Sequence, residues 1–325
     1  MLNPAADIRP QANPGFSRMF APGRLTLGVL FAIESYQGDA PTMADQIRLA
    51  KVAEQARFAA LGVRDVPLRD PSFGDLGQIH DPWAWLGYVT GQTTDIALFT
   101  AAIVLPLRHP LHTAKAAASI DRLSEGRLVM GIASGDRAVE FPAFGVEHAE
   151  RGALFQEQVA YLRTAWANQY PQINGTYGVL RDADVVPKPV ASRVPLIVTG
   201  NSQQSVDWIA RKSDGWITYP RRMDIQVDLI RQWHSTVETV SPGAFKPFAQ
   251  PYHIDLTADP DISPTPIHGG HRLGRSWLMR HLEVLERAGA NHVLFNLKYG
   301  NRPAEAVIEE LATHVVPRFP ALGTD

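Results

Sequence analysis

The strongest constraint on the fold is an alternation of short apolar runs with longer helical stretches, which repeats eight times along the chain. The runs are short enough to be buried strands of a parallel sheet, and the stretches between them carry apolar residues at helical spacing. The predicted strands cover residues 25–31, 63–67, 95–104, 128–132, 195–199, 215–219, 251–257 and 292–297. Eight such pairs predict an α/β fold, the (β/α)8 TIM barrel, with insertions after strands four and seven.

A doubly wound open sheet is the alternative fold. No Gly-x-Gly-x-x-Gly pattern follows the first strand, which counts against a Rossmann dinucleotide site. The predicted helices cover residues 43–61, 82–91, 111–123, 151–168, 202–212, 224–240, 273–288 and 303–316. Residues 1–23 contain four prolines and no apolar signal core, so we expect a loose arm there and one barrel domain over 24–325.

Composition excludes several classes of function. The 325 residues are 45% hydrophobic and 20% charged, with a net charge of −2 and no cysteine. There is therefore no disulfide, no thiolate nucleophile and no zinc–thiolate site. The small net charge implies no general attraction to nucleic acid or to an anionic membrane. No apolar stretch reaches membrane-spanning length, and we expect a soluble, cytoplasmic enzyme.

One candidate phosphate site joins the fifth predicted strand to its helix. Thr199 and Gly200 are followed by Asn201, Ser202 and Ser205, which add amide and hydroxyl donors. A helix amino terminus offers unpaired N–H groups and a partial positive charge, so a phosphate can bind there. Ordinary helix capping by Asn201 or Ser202 is the alternative interpretation.

Other polar or small residues follow the third and fourth strands. Ala101 and Ala102 leave room for a flat ring at a strand end. After the fourth strand, Ser134 and Gly135 are followed by Arg137, which can reach a phosphate as a charge-assisted donor. A surface salt bridge, for example from Arg137 to Glu140, is the alternative role.

Further candidates lie in other loops. Residues 68–80 form a long loop of the kind that is usually functional. It contains Arg69, which can fix an anionic substrate, and Asp70, which can instead pair with Arg69 and stabilise the loop. His109 can act as an acid or base near neutral pH, or can start a helix. Tyr219 and Arg221 follow the sixth strand and can contact substrate. His268 and His271 have no third ligand at a recognisable spacing, so no metal site is expected.

Three motifs together resemble the bacterial luciferase-like flavin-dependent monooxygenase and oxidoreductase family. A helix ends with Ile120 to Arg127, the next strand ends with Gly131 to Gly135, and Glu140-Phe141-Pro142-Ala143-Phe144-Gly145 follows. The order of these pieces is that of the family, and the resemblance is clear over residues 25–220. It implies a TIM barrel that binds FMN, or alternatively a deazaflavin coenzyme.

The resemblance also implies roles for residues. The segment from Thr199 to Ser205 looks like the family's flavin-phosphate loop, and Ala101–Ala102 like its non-prolyl cis peptide bond beside the flavin ring. In the family, a basic residue near this point of the chain helps to hold the flavin phosphate. The corresponding residue here is either Arg137 or Ser134. Many members have a histidine motif in the loop after strand two, whereas this chain has Arg69 and Asp70 there and no histidine before His80.

The resemblance finally implies an activity and partners. Reduced FMN and O2 would oxidise a small organic substrate, and a separate flavin reductase would supply the reduced FMN. A homodimer is expected, and the aromatic helix from Trp83 to Tyr88 is either its interface or a packing face. Two alternatives stay open: a deazaflavin-dependent dehydrogenase or reductase on the same barrel, and a flavin-binding protein without turnover.

Overall fold

The computed structural model describes residues 13–323, which form a closed barrel of eight parallel strands. Each strand pairs with the next along the chain, and the eighth pairs with the first. The strands are β1 Thr26–Leu30, β2 Ala60–Val63, β3 Ala97–Val104, β4 Leu128–Ala133, β5 Leu196–Thr199, β6 Gly215–Ile217, β7 Phe248–Leu256 and β8 His292–Asn296. The predicted TIM barrel is therefore confirmed.

Helices cover the outside of the barrel, as the repeated strand–helix pattern predicts. They are α1 Gln46–Gln55, α2 Pro82–Thr90, α3 Pro110–Leu123, α4 Arg151–Ala167, α5 Val206–Lys212, α6 Met223–Val240, α7 Arg275–Ala288 and α8 Ala304–His314. Among the described residues, no helix combines the length and the apolar character that crossing a membrane requires.

Both predicted insertions are present. After β4, the segment 134–150 contains a short helix, Glu140–Ala143, and a hairpin of Ile173–Gly175 and Gly178–Leu180 precedes β5. After β7, a second hairpin of Thr265–Ile267 and Gly270–Leu273 adds its later strand alongside β7. The second insertion therefore extends the sheet beside the carboxyl-terminal half of β7.

The predicted helix over 43–61 is too long, and as a result Arg64 was predicted in the wrong place relative to strand β2. The helix ends at Gln55, and Ala60–Val63 is a fully buried strand. Arg57 has a φ of 63° and breaks the helix before the strand. The apolar residues of Ala60–Val63 are compatible with a helix or a strand. They form a strand because the segment is buried on both sides of the sheet. Arg64 consequently follows β2 instead of lying within it.

The amino-terminal arm begins outside the described residues, at 1–12. Its described part is not loose, because Pro14–Met19 is a helix capped by the Asn13 side chain. Phe16 and Met19 are 1% and 0% exposed and pack into the end of the barrel where the strands start. The amide of Gly15 donates to the carbonyl of Gly126, just before β4. This helix covers the amino-terminal face, opposite the ligand side of such a barrel.

Candidate active site

A cavity of about 290 Å³ opens at the carboxyl ends of strands β2 to β6. This is the face on which TIM barrels carry their active sites. Small and polar residues dominate its wall. They are Arg64, Asp65, Val66, Phe73, Ala101, Ala102, Val104, Ala133, Ser134, Gly135, Asp136, Arg137, Glu140, Thr199, Gly200, Asn201, Ser202, Gln203 and Tyr219. Ten of the fifteen residues predicted for the site, Tyr219 among them, are in this set.

The turn after β5 forms one end of the cavity. Gly200, Ser202 and Gln203 have φ angles of 57°, 45° and 60°. Residues in this conformation can turn neighbouring backbone N–H groups toward one side and so form a concave anion site. The Gly200 amide already donates to the carbonyl of Ile217, which leaves the amides of Asn201 to Gln203 for such a role. The Thr199 hydroxyl is buried without a hydrogen-bond partner. An unpaired buried hydroxyl facing a donor-rich turn fits a ligand that supplies acceptor atoms.

The loop after β4 lies beside this turn. The backbone amide of Ser134 donates to the Ser202 hydroxyl over 3.2 Å. Gly135 has a φ of 87°, and a Cβ there would lie 2.9 Å from Phe141 and from Val104. The position therefore requires glycine for both conformation and space.

Arg137 is buried rather than on the surface. Its Nη2 donates to the carbonyl of Asp75 over 2.8 Å, and its guanidinium lies 4.1 Å from the centre of the Phe73 ring. Within residues 13–323, no ion pair joins it to Glu140. Arg137 therefore supplies positive charge to the cavity and packs against the loop after β2.

The peptide bond between Ala101 and Ala102 is cis, as the resemblance predicts. A second non-prolyl cis bond joins Phe31 and Ala32, after β1, which the sequence analysis missed. The role of Ala101 and Ala102 beside a flavin ring stays a prediction.

Five predicted residues lie away from the cavity wall, and three of them are Arg69, Asp70 and His109. Arg69 forms a two-pronged ion pair with Asp39, at 2.8 and 2.7 Å, instead of pairing with Asp70. Asp70 accepts hydrogen bonds from the amide and hydroxyl of Ser72 in a local turn. His109 caps α3 through the amide of Leu111, over 3.2 Å.

Two more predicted residues also stabilise local structure. The Ser205 hydroxyl accepts from the amide of Trp208 and caps α5, which begins at Val206 rather than at Ser202. Arg221 contacts the hydroxyl of Thr218 over 3.3 Å and is exposed. Neither lines the cavity, whereas Tyr219 stands exposed at its rim.

A charged cluster at the centre of the barrel mouth was not predicted. The Asp75 carboxylate accepts hydrogen bonds from the Tyr36 hydroxyl at 2.6 Å, the Arg64 guanidinium at 2.7 Å and the Gly77 amide at 3.0 Å. It also forms an ion pair with the Lys298 ammonium at 3.2 Å. Burial opposes ionisation of Asp75, but the charge of Arg64 and the hydrogen bonds from Arg64 and Tyr36 outweigh this effect and lower the pKa of Asp75. The cluster joins three strand ends to the loop over residues 68–80.

Glu140 is a second unpredicted wall residue, although its motif was recognised. It is 2% exposed, and its Oε1 has no hydrogen-bond partner. Burial raises the pKa of Glu140, and the nearby charge of Arg137 offsets the rise only in part. A buried carboxyl with a free oxygen at a cavity wall is able to hydrogen-bond a ligand.

The aromatic helix α2 divides its side chains between two environments. Trp85 is 7% exposed and makes an edge contact with Phe31 at 5.2 Å, so it belongs to the core. Tyr88 is 55% exposed. The packing interpretation therefore fits Trp85, and the outward face of α2 is open for another contact.

Comparison with known proteins places this geometry in a family. The sequence profile of the luciferase-like monooxygenase family matches residues 24–250. An uncharacterised protein of Mycobacterium tuberculosis is 35% identical over 147 residues, which are 45% of this chain and 52% of that protein. The chain thus spans about half the length of that relative.

Two further relatives have named activities. An F420-dependent glucose-6-phosphate dehydrogenase of Beutenbergia cavernae is 28% identical over 253 residues, covering 75% of this chain and 72% of that protein. The alkanal monooxygenase alpha chain of Photorhabdus luminescens is 24% identical over 191 residues, covering 57% and 51%. Both kinds of cofactor chemistry, deazaflavin-dependent and oxygen-dependent, therefore occur among the relatives.

Solved structures share the fold. An F420-dependent secondary alcohol dehydrogenase, in complex with an F420-acetone adduct, superposes with a TM-score of 0.75 at 18% identity, over 91% of this chain and 99% of that chain. The oxygenating constituent of 3,6-diketocamphane monooxygenase of Pseudomonas putida, in complex with FMN, gives 0.71 at 13% identity, over 92% and 99%. The profile match, which covers more than half of the sequence, shows that this chain belongs to the luciferase-like monooxygenase family.

Proposed function

We propose that the chain is a flavin-dependent oxidoreductase, and specifically a monooxygenase that uses reduced FMN and O2 on a small organic substrate. The observation that carries this proposal is the cavity at the barrel mouth, which ends in the left-handed turn from Gly200 to Gln203. A single anion-binding turn suits the one phosphate of a mononucleotide. The alkanal monooxygenase relative supports the oxygen chemistry.

The residues present fit a flavin. The turn at Gly200, Ser202 and Gln203, with the unpaired Thr199 hydroxyl, would hold the phosphate. Arg137 would add the positive charge that a phosphate requires. These contacts would fix the cofactor at one end of the cavity.

The rest of the cavity would hold the ring system. Ala101 and Ala102 keep the wall at the end of β3 free of bulky side chains, which leaves room for a flat ring. The Glu140 carboxyl would hydrogen-bond a polar edge. Phe73, from the loop over 68–80, and Tyr219 stand at the rim, where they would limit the access of water to the reacting centre. The bound flavin would supply the redox chemistry, and the protein would supply position and shielding.

A deazaflavin-dependent dehydrogenase or reductase is the second candidate. The F420-dependent relative matches a larger share of this chain, 75%, than the alkanal monooxygenase relative, 57%. Such an enzyme would use the same barrel and transfer hydride without O2. A flavin-binding protein without turnover is the third candidate, because no histidine stands in the loop after β2 before His80.

Binding and oxygen uptake separate these candidates. The flavin-free protein is titrated with FMN, with reduced FMN under anaerobic conditions, and with the deazaflavin, and oxygen consumption is then followed with a panel of small substrates. Tight binding of reduced FMN with substrate-dependent oxygen uptake supports the monooxygenase. Preference for the deazaflavin supports the dehydrogenase, and binding of none of these ligands contradicts all three candidates.

The proposed partners follow from this chemistry. A separate flavin reductase would supply the reduced FMN, since the described part of the chain is accounted for by one barrel and its insertions. We also propose a homodimer. Its interface would use the outward face of α2, where Tyr88 is exposed beside a surface groove lined by Trp83, Arg108, His112, Thr113, Lys115 and Ala116.

A further inference from the structure

We propose that Arg64 and Lys298 form a subsite for an anionic group of the substrate, a carboxylate or a phosphate, and that the Asp75 side chain occupies this subsite as an internal anion. The proposal rests on the proposed function, because it names the class of substrate that would reach the flavin. It is argued from the charges, contacts and chain positions of these three residues.

The two cations are held by the barrel, whereas the anion is held by a loop. Arg64 directly follows β2, and Lys298 comes two residues after β8. Both strands pair with β1, so the two side chains come from neighbouring positions of one rigid sheet. Asp75 lies in the long connection between β2 and α2. Loop movement would therefore remove the anion and leave the cationic site in place.

The charges in the cluster do not balance. Arg64 and Lys298 carry two positive charges, and Asp75 carries one negative charge. Lys298 is only 3% exposed, so water screens its charge poorly. The adjacent Arg69 is already neutralised by Asp39 at 2.7 Å. A buried excess of positive charge favours the binding of an anion.

The neighbouring histidine does not change this balance. Burial, with a smaller contribution from the charge of Arg64, lowers the pKa of His253 to about 4. His253 is therefore neutral at neutral pH and adds no charge. Its Nε2 is buried without a hydrogen-bond partner, so the ring is free to hydrogen-bond a polar group of a ligand.

The loop satisfies Lys298, whose Nζ donates to the carbonyl of Gly74 over 2.7 Å, but it leaves one donor of Arg64 unpaired. The Nε of Arg64 is buried without a hydrogen-bond partner, and only Nη1 reaches Asp75. Gly77 lies flat against this guanidinium, since a Cβ there would be 2.1 Å from Nε. A guanidinium can donate two parallel hydrogen bonds to a carboxylate or phosphate. An incoming anion would thus bind Arg64 more completely than Asp75 does.

The position of the subsite links it to the flavin chemistry. Arg64 also lines the cavity proposed for the flavin. An anion at Arg64 and Lys298 would place the rest of a small organic molecule beside that cavity. The geometry therefore favours organic acids or phosphate esters over hydrocarbons and amines as substrates.

The test measures binding of small anions to the flavin-free protein by calorimetry. Acetate and inorganic phosphate are the probes, and acetamide is the uncharged control. In Asp75→Asn, loss of the internal competitor should tighten acetate binding by about tenfold, because acetate then no longer has to displace a carboxylate from its charge-assisted hydrogen bonds. Adding Arg64→Gln or Lys298→Gln to this variant should abolish the gain. Asp70→Asn, which changes a half-buried acid in the same loop, is the matched control and should bind acetate as the unmodified chain does.

A second measurement uses the unmodified chain and covers poor folding of Asp75→Asn. Acetate that displaces Asp75 should free the loop and speed tryptic cleavage after Arg69, whereas acetamide should not. Arg64→Gln should remove this acceleration. Unchanged cleavage at saturating acetate would overturn the proposal.

Other sources of anion binding give different patterns. Phosphate binding that depends on Ser202 but not on Arg64 belongs to the flavin-phosphate turn and contradicts the subsite. Tighter binding of reduced FMN, but not of acetate, in Asp75→Asn would assign Arg64 to the flavin ring edge and also contradict it. Because the acetate assay contains no flavin, its failure is distinguishable from a failure of FMN binding.

Discussion

The hydroxyl oxygen of Ser202 accepts a hydrogen bond from the backbone amide of Ser134 over 3.2 Å. The same hydroxyl donates to the carbonyl of Thr199 over 2.8 Å. It therefore ties the loop after β5 to the loop after β4 and holds the left-handed turn in shape. Two segments that the sequence singled out separately are one structural unit at the end of the cavity.

We expect Ser202→Ala to weaken flavin binding by about tenfold, because the turn loses both hydrogen bonds and an orienting hydroxyl, a loss of about 1.4 kcal/mol. Fluorescence titration with FMN measures the affinity. Ser205→Ala is the matched control, since Ser205 caps α5 through the amide of Trp208 and does not line the cavity. It should lower the free energy of unfolding by about 1 kcal/mol and leave the affinity unchanged. Equal affinity loss in both variants would contradict the assignment of the phosphate to this turn.

Arg127 belongs to the family motif from Ile120 to Arg127, and its contacts show that it stabilises the fold. Its side chain is buried and donates to the carbonyls of Thr90, Thr93, Ser124 and Ile96 and to the Thr93 hydroxyl, at 2.9 to 3.1 Å. It thereby joins the start of β4 to the connection between α2 and β3. No atom of Arg127 lines the cavity.

We expect Arg127→Lys to lower the free energy of unfolding by about 3 kcal/mol, because an ammonium cannot satisfy these separate acceptors and leaves buried carbonyls unpaired. Arg122→Lys is the control, since exposed Arg122 makes one hydrogen bond, to the carbonyl of Lys188. Its effect should stay within about 0.5 kcal/mol. Chemical denaturation measures both, and comparable losses in the two variants would count against this role for Arg127.

The sequence predicts the barrel and one end of its site, because both depend on local patterns. Apolar strands and the turn from Thr199 to Ser202 are visible as short runs of residue types. The cluster around Asp75 depends instead on contacts between residues far apart in the chain, such as Lys298 and Asp75. The position of Arg64 at the end of β2 could not be predicted, because the apolar run before it is compatible with a helix as well as with a strand.

The limits of local reasoning also show in the loop after β2. Arg69 and Asp70 stand out by residue type, but Arg69 pairs with Asp39, from the loop after β1. Asp75, five residues beyond Asp70, is the carboxylate that enters the barrel mouth. Which acid of a loop turns inward depends on the fold of the whole loop, and no periodic pattern encodes it.

The proposed homodimer predicts an effect of charge on the exposed face of α2. We expect Tyr88→Asp to convert the dimer to a monomer, because the change removes the aromatic ring that the interface would bury and introduces a carboxylate that would lose its hydration there. Light scattering coupled to size exclusion measures the mass. Ile225→Asp, which changes an exposed apolar residue on α6, is the control and should leave the mass of the dimer unchanged. Persistence of the dimer in Tyr88→Asp would place the interface elsewhere.

The stability of the fold should fall in acid because of His292. This residue is 0% exposed on β8, and burial lowers its pKa from 6.5 to about 3. The Thr26 hydroxyl can donate to the carbonyl of Met19 and accept from His292 Nδ1, both at 2.7 Å, while Nε2 has no partner. A proton on Nε2 would therefore place an unpaired charge inside the barrel.

The sign of the pH dependence follows from the two states. Between pH 6.5 and about 3 the unfolded chain binds a proton at His292 that the folded chain does not. The contribution to stability is thus complete above pH 6.5 and is lost as the pH falls, with a slope of up to about 1.4 kcal/mol per pH unit. Urea denaturation from pH 7 to pH 4 should show this slope, together with the contributions of other groups.

The variant His292→Asn isolates the effect of this one group. Asparagine keeps a donor toward Thr26 and cannot titrate. The pH dependence of the free energy of unfolding should therefore decrease by the contribution of nearly one proton. We expect the variant to be less stable than the unmodified chain at pH 7. Phe20→Leu is the control, because Phe20 packs edge-on against His292 at 5.9 Å and carries no titratable group. It should lower stability by a similar amount at every pH and keep the slope of the unmodified chain. If His292→Asn kept the full slope, the acid sensitivity would come from other groups, and the buried imidazole would not be its source.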